Sequence, residues 1–145
     1  MTQELTFQTT LPITFEDALE KVTTMLKAEG FGILTRIDAK AALKEKLDVD
    51  FRPNVILGAC NPKLAHRALE NEPAVGALLP CNVTVEQVGE NTLVSIVNPE
   101  AMLSLPPLST NPVVCSVAAE ARESLERVAT ALRSGSNLNQ RIHIP

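Results

Sequence analysis

Five consecutive residues, Val55 to Ala59, are apolar or small and do not alternate with polar ones. An uninterrupted apolar run bounded by turn residues is typical of a central strand that is buried on both faces of a sheet. Asn61-Pro62 follows almost at once, and Asn is a favoured helix N-cap while Pro suits the first helical position. The sequence therefore predicts a buried strand that leads directly into a helix, with Cys60 at the junction.

The rest of the chain alternates between the periodicities of strands and helices. Predicted strands cover residues 4–10, 31–37, 55–59, 82–88 and 92–97. Predicted helices begin after Thr14, Asp38, Asn61, Asn98 and Asn111, and the last one is predicted to end at Gly135. This order predicts an α+β fold, a two-layer sandwich with one mixed, mostly antiparallel sheet of about five strands and helices packed on one face. We expect a single α+β domain at residues 1–135, followed by a polar C-terminal tail at residues 136–145.

Composition and charge restrict the class of protein. The chain has 145 residues, of which 45% are hydrophobic and 21% are charged, as in a globular domain. Its net charge of -4 and its lack of aromatic residues other than four Phe disfavour binding to nucleic acid or to anionic membranes. No apolar stretch is long enough to span a membrane. An odd number of widely spaced cysteines and the lack of a signal-peptide pattern predict a cytoplasmic protein with reduced thiols.

Two Cys-Asn pairs are the main candidates for a functional site, Cys60-Asn61 and Cys81-Asn82. If the strands that they flank are neighbours, the two pairs can form a ligand-binding site or a redox pair. Cys60 is the candidate nucleophile, because the positive end of a following helix favours a thiolate. The alternative is that both residues are structural cysteines, as most free cysteines are. Their spacing matches no zinc pattern, so no metal site is predicted, and the cofactor is unknown.

Other polar residues are weaker candidates. His66 falls off the apolar stripe of its helix and is predicted to face solvent. Arg36, Arg52 and Asp38 are predicted to form surface ion pairs. Cys115 borders the apolar stripe of the last helix and is predicted to lie in the core. The chain contains no phosphate-binding or hydrolase motif, so the sequence leaves open whether the protein is an enzyme.

Several segments together resemble a known family. They are Gly30–Asp38, Leu43–Leu47, Leu57–Pro62 and Val75–Val83. Over residues 14–102 the chain is similar to the prokaryotic family called domain of unknown function 302, and the two Cys-Asn segments are the most specific part of the match. The resemblance implies a small α+β fold, a bacterial or archaeal cytosolic protein and a homodimer. It implies no activity, substrate or cofactor.

Three functions are consistent with these patterns. The first is a homodimer that binds a small-molecule ligand in a pocket near Cys60 and Cys81. The second is a thiol-dependent redox or sulfur-transfer enzyme in which Cys60 is the nucleophile and Cys81 is its resolving partner. The third is a structural or partner-binding module that uses the Pro106-Pro107 loop and the last helix. Dimerisation is expected because a two-layer sandwich leaves one face of its sheet bare.

Overall fold

The computed structural model describes the backbone of residues 4–142 and the side chains of residues 4–134. The elements in chain order are β1 (Thr6–Leu11), α1 (Phe15–Ala28), β2 (Gly32–Asp38), α2 (Ala39–Leu47), β3 (Asn54–Cys60), α3 (Pro62–Asn71), a 3₁₀ helix (Pro73–Leu78), β4 (Cys81–Val88), β5 (Asn91–Val97), α4 (Pro99–Met102) and α5 (Pro112–Ile142). The sequence predicted each of these strands and helices except the 3₁₀ helix.

The five strands form one sheet in the order β1-β5-β4-β3-β2. All four pairings are antiparallel, so the sheet is antiparallel throughout rather than mixed. This arrangement confirms the predicted α+β sandwich. The strand that contains the apolar run, β3, lies inside the sheet, but β4 occupies the middle position.

One face of the sheet carries the main core. Strand residues of this face alternate with residues that point to the other face, as the pleat requires. Buried side chains of α1 and α5 pack against them in a single cluster. The largest fully buried members are Leu11, Leu26, Phe31, Leu57, Ile96, Leu125 and Leu132.

The opposite face of β3 is less covered than its apolar run predicts. Ile56 points to this face and is only half-buried. Its partners in the neighbouring strands are Ile37, which is 50% exposed, and Thr84, which is half-buried. The prediction of a strand buried on both faces is therefore wrong for Ile56. An apolar run shows that a strand favours burial. Whether each face is buried depends on which other parts of the chain, or which partner, pack against it.

The helix starts are set by local side-chain caps, as predicted. The side chains of Thr14, Asp38, Asn61, Asn98 and Asn111 each accept a hydrogen bond from a backbone N–H in the first turn of the following helix. Gly30 has a φ of 85°, a left-handed conformation that a helix C-terminus favours and that glycine adopts without a Cβ clash.

The last helix is longer than predicted. It continues past Gly135 to Ile142, so the expectation that Gly135 ends it is wrong. A glycine inside a helix costs only about 1 kcal/mol relative to alanine, and no proline follows until Pro145. Residues 143–145 of the predicted tail lie outside the described residues. Within residues 4–142, no helix is both long and apolar enough to cross a membrane.

A second, smaller core lies between α3, the 3₁₀ helix and the start of α5. Its buried members are Ala68, Val75, Leu103, Leu108, Val114, Val117 and Ala118. The Pro-Pro loop therefore contributes Leu108 to the core of its own chain, whereas Leu105 is 72% exposed. The side chains of Leu64 and Met102 pack against both cores and so mark the boundary between them.

Gly58 lies on the outer face of β3, the face that points away from the main core, and its surroundings there are crowded. A Cβ atom added there would lie 2.2 Å from Thr35 Oγ1 and 2.7 Å from Pro80 Cγ. Both distances are far shorter than van der Waals contact. The absence of a side chain at Gly58 thus allows the neighbouring strand and the Pro80 ring to approach β3.

We predict that Gly58→Ala destabilises the protein, because overpacking of a tight contact costs about 1–3 kcal/mol. The matched control is Gly32→Ala in β2, where an added Cβ has no neighbour within 4 Å. We expect it to change the free energy of unfolding by no more than about 0.5 kcal/mol. Urea unfolding measures both values. Equal effects of the two substitutions would contradict the steric explanation.

Candidate functional site

A small cavity lies at the boundary between the two cores. The end of β3, the start of β4, α3, α4 and α5 all contribute to its wall. The cavity offers about 30 Å³ to the centres of water-sized molecules, and its wall is almost entirely apolar. Among the lining residues are both Cys60 and Cys81, the two cysteines that the sequence singled out.

Strand pairing places the two cysteines at neighbouring positions of adjacent strands. In the register of β3 with β4, Ala59 lies opposite Cys81, and Cys60 is the next residue in the chain. Cys60 is half-buried and Cys81 is buried. The expectation that the strands of the two Cys-Asn pairs are neighbours is therefore confirmed.

The two asparagines have different surroundings. Asn61 lines the cavity, and its Oδ1 accepts a hydrogen bond from the backbone N–H of Leu64 at 3.2 Å, which caps α3. Asn82 is exposed and is not part of the cavity wall, because Cys81 and Asn82 are successive strand residues and point to opposite faces. The structure thus brings together Cys60, Asn61 and Cys81. Ligand binding by any of the four residues stays a prediction.

Burial controls the acidity of both thiols. It raises the pKa of Cys60. Burial, with a smaller contribution from the Cys60 charge, raises the pKa of Cys81 to about 11. An ordinary cysteine has a pKa of about 8.5. The sequence suggested that the N-terminus of the next helix would favour a thiolate at Cys60, but loss of hydration raises the pKa of this thiol instead. Both side chains are therefore thiols at neutral pH.

Met102 is a cavity residue that sequence reasoning did not identify as a candidate. It ends α4 and lines the cavity together with Cys60 and Cys81. The buried Asn98 fixes α4, because its Oδ1 caps the helix and its Nδ2 donates to the carbonyl oxygen of Glu4 at 2.8 Å. The Asn-Pro pair predicts that a helix starts here, but the neighbouring residues in the sequence do not indicate that the helix packs beside the cavity.

The weaker candidates lie away from this cavity. His66 Nε2 lies 2.8 Å from a carboxylate oxygen of Glu70, and its side chain is 74% exposed, so the prediction of a surface histidine is confirmed. Arg52 pairs with Glu86 at 2.9 Å. Asp38 caps α2.

Cys115 is exposed rather than buried, so its predicted place in the core is wrong. Its Sγ contacts the carbonyl oxygen of Ser109 at 3.3 Å. Because helical neighbours point in different directions, the adjacent Val114 takes the buried position in the first turn of α5.

Comparison with known proteins agrees with this fold. The profile of the family described as "Domain of unknown function DUF302" matches residues 7–132. The chain belongs to the DUF302 family. The crystal structure of an uncharacterized conserved DUF302 protein from Bacillus stearothermophilus is similar to it, with 28% sequence identity and a TM-score of 0.78. That match covers 88% of this chain and 98% of the other. No curated protein matches the chain significantly.

We predict slow alkylation of both cavity cysteines at pH 8, because only the thiolate reacts and a raised pKa keeps the thiol protonated. The rate constant of Cys81 should continue to rise as the pH approaches 11. Peptide mass spectrometry after timed iodoacetamide treatment measures each cysteine separately. The exposed Cys115 provides an internal control for the reagent.

The dependence of the alkylation rate on pH distinguishes a raised thiol pKa from restricted access of the reagent. Restricted access lowers the rate by the same factor at every pH. A Cys60 that reacts faster than free cysteine at pH 7 would contradict the raised pKa.

Proposed function

We propose that this DUF302 protein binds a ligand of a few atoms in the apolar cavity beside Cys60 and Cys81. The observation that carries the proposal is the cavity itself, which joins two cysteines from separate segments at the meeting point of both cores. Ligand sites in proteins are mostly apolar, with a few polar groups that orient the ligand. Here the polar residues of the wall include Cys60, Asn61 and Cys81.

The size of the cavity restricts the ligand. One water needs about 10–15 Å³ of such volume, so about 30 Å³ holds two or three water-sized groups. A nucleotide or flavin is far too large for this space. A small apolar molecule, a dissolved gas or a single ion fits.

Binding is favoured over thiol catalysis because of the acidity of the cysteines. A nucleophilic cysteine normally has a lowered pKa, whereas burial raises the pKa of both Cys60 and Cys81. The alkylation profile decides between the two functions. A reactive Cys60 would support the redox or sulfur-transfer alternative.

We predict that Ala118→Leu in α5 reduces ligand uptake, because Ala118 lines the cavity and is buried, so a larger side chain occupies the space. Xenon is a suitable probe of an apolar cavity. Shifts of the Ala68 and Val117 amide signals under xenon pressure in NMR spectra measure uptake in the wild type and the variant.

The matched control is Ala41→Leu, at an exposed position of α2 that does not line the cavity. It should leave xenon uptake unchanged. Equal uptake by the wild type and Ala118→Leu would contradict the assignment of the cavity as the binding space.

We also propose that the protein is a homodimer whose contact includes the outer face of the sheet beside β2 and β3. Three exposed apolar residues lie at this end: Leu34 is 65% exposed, Ile37 50% and Leu47 65%. Ile37 pairs with the half-buried Ile56 across the two strands. Further along this row of residues paired across the sheet, the side chains become polar, and the row ends at Gln8. A second copy would cover an apolar surface that water otherwise meets.

We predict that Ile37→Asp converts a dimer to a monomer. In a twofold-symmetric contact each residue occurs twice, and burial of one such side chain contributes about 1.5–3 kcal/mol. The dissociation constant should rise at least about a hundredfold. Sedimentation velocity measures it, and native mass spectrometry of freshly purified protein reports the oligomeric state and any retained ligand together.

The control is Gln8→Asp, which adds the same charge on the same face at the opposite edge strand. A wild-type protein that is monomeric at micromolar concentration would overturn the dimer, and equal effects of both variants would overturn the position of the contact.

A cytoplasmic location and a prokaryotic origin complete the proposal. The three cysteines are free thiols, which suits a reducing compartment. The similar solved protein comes from a bacterium. Fractionation of cells that express the protein tests the location.

A further inference from the structure

Helix α2 differs from the other α-helices in how little of it is buried. Each of α1, α3, α4 and α5 has at least one buried residue, whereas none of the nine residues of α2 is buried. Its two leucines are Leu43, which is half-buried, and Leu47, which is 65% exposed. An isolated helix shorter than about 12 residues is marginal in water, and most helices in proteins depend on the packing of an apolar face. The described part of the chain therefore does not provide the burial that would stabilise α2.

The interactions that hold α2 are local and exposed to solvent. The Asp38 side chain caps its first turn, and Lys40 Nζ donates to the carbonyl oxygen of Phe51 at 2.6 Å. Lys44 Nζ lies 2.9 Å from a carboxylate oxygen of Asp48, but these two side chains are 56% and 88% exposed. Exposed ion pairs contribute little to stability. Elements with few buried contacts are the ones that open most readily while the rest of a protein stays folded.

We propose that α2 becomes stably ordered only when a second copy of the chain packs against it. The inference rests on the proposed homodimer, because it adds an element to the same contact. In the dimer the helix is covered and protected. In the monomer it is open for much of the time, while the sheet and the helices that pack on it stay folded.

The area that a dimer needs favours a contact that extends beyond the strands. Stable interfaces bury about 800 Å² on each partner. The apolar residues that β2 and β3 offer are Leu34, Ile37 and Ile56, and their own chain already covers part of each one. Even a fully buried aromatic side chain contributes only about 150–250 Å², so three partly covered aliphatic side chains are not enough. The contact must therefore include a neighbouring element.

Helix α2 is a neighbouring element that exposes further apolar side chains. It begins directly after β2, two residues beyond Ile37, and it packs against β2 and β3. Leu47 at its end and Val49 just after it are 65% and 43% exposed. In a twofold-symmetric contact the same surface occurs on both copies. Each copy can therefore cover the α2 of the other.

Two substitutions at one exposed position measure this coupling. Glu45 lies within α2 and is exposed. Glu45→Ala and Glu45→Gly both remove its carboxylate, but glycine disfavours a helix more than alanine does. If both copies of α2 fold as the dimer forms, this penalty applies twice. We expect the dissociation constant of the dimer to be about 10- to 30-fold higher for Glu45→Gly than for Glu45→Ala, as measured by sedimentation velocity.

The matched control is the same pair of substitutions in α3, a helix of ten residues. His66 is an exposed residue of this helix, but α3 also buries Ala68 and belongs to the smaller core. It is therefore folded in the monomer and in the dimer. The dissociation constants of His66→Gly and His66→Ala should be equal.

Amide hydrogen exchange tests the same inference without a substitution. When the wild type is diluted below its dissociation constant, the amides of residues 39–47 should exchange about tenfold faster or more, because exchange follows local opening. The amides of α3 should keep their rates. Ile37→Asp should show fast exchange of residues 39–47 at every protein concentration.

The outcomes separate the coupling from the dimer itself. A wild type that dimerises, with equal dissociation constants for Glu45→Gly and Glu45→Ala, would overturn the coupling and retain the dimer. Exchange of residues 39–47 that does not depend on protein concentration would overturn the coupling as well. A wild type that is monomeric at micromolar concentration would overturn the proposed dimer together with this inference.

Discussion

Burial of a single face of the antiparallel sheet is the constraint on which the other features depend. Val55, Leu57 and Ala59 of β3 face the same core as Val83 and Val85 of β4. A shift of the register by one residue would turn every one of these side chains toward solvent. Because burial of each large aliphatic side chain contributes about 1.5–3 kcal/mol, the register is strongly determined. That same register places Cys81 opposite Ala59 and beside Cys60.

The cavity exists because two cores meet without filling the space between them. The main core joins the sheet to α1 and α5, and the smaller core joins α3 to the first turns of α5. Side-chain caps at Asn61 and Asn98 fix where α3 and α4 start and so determine how closely these helices approach the end of the sheet. The apolar wall and the two neutral thiols follow from this position, since both are properties of a site removed from water.

Much of the fold could be predicted because its signals are local. An Asn-Pro pair specifies a helix start through the cap and the fixed φ of proline, and alternating residues specify a strand with one buried face. Other features depend on distant parts of the chain. The exposure of Cys115, the half-buried Ile56 and the place of Met102 in the cavity wall are set by packing against elements far away in the sequence. Gly135 could not be recognised as a helical residue, because a glycine both ends helices and is tolerated within them.

The sequence by itself determined the α+β class, most element boundaries, the helix caps and the two Cys-Asn segments as candidates. These properties follow from interactions between residues within a few positions of each other. Only the tertiary structure decided that Cys60 and Cys81 share a cavity with Met102, that Asn82 points away from it, and that burial raises the pKa of the two thiols. These properties arise from long-range contacts and from exclusion of water, and neither is encoded in the spacing of residues along the chain.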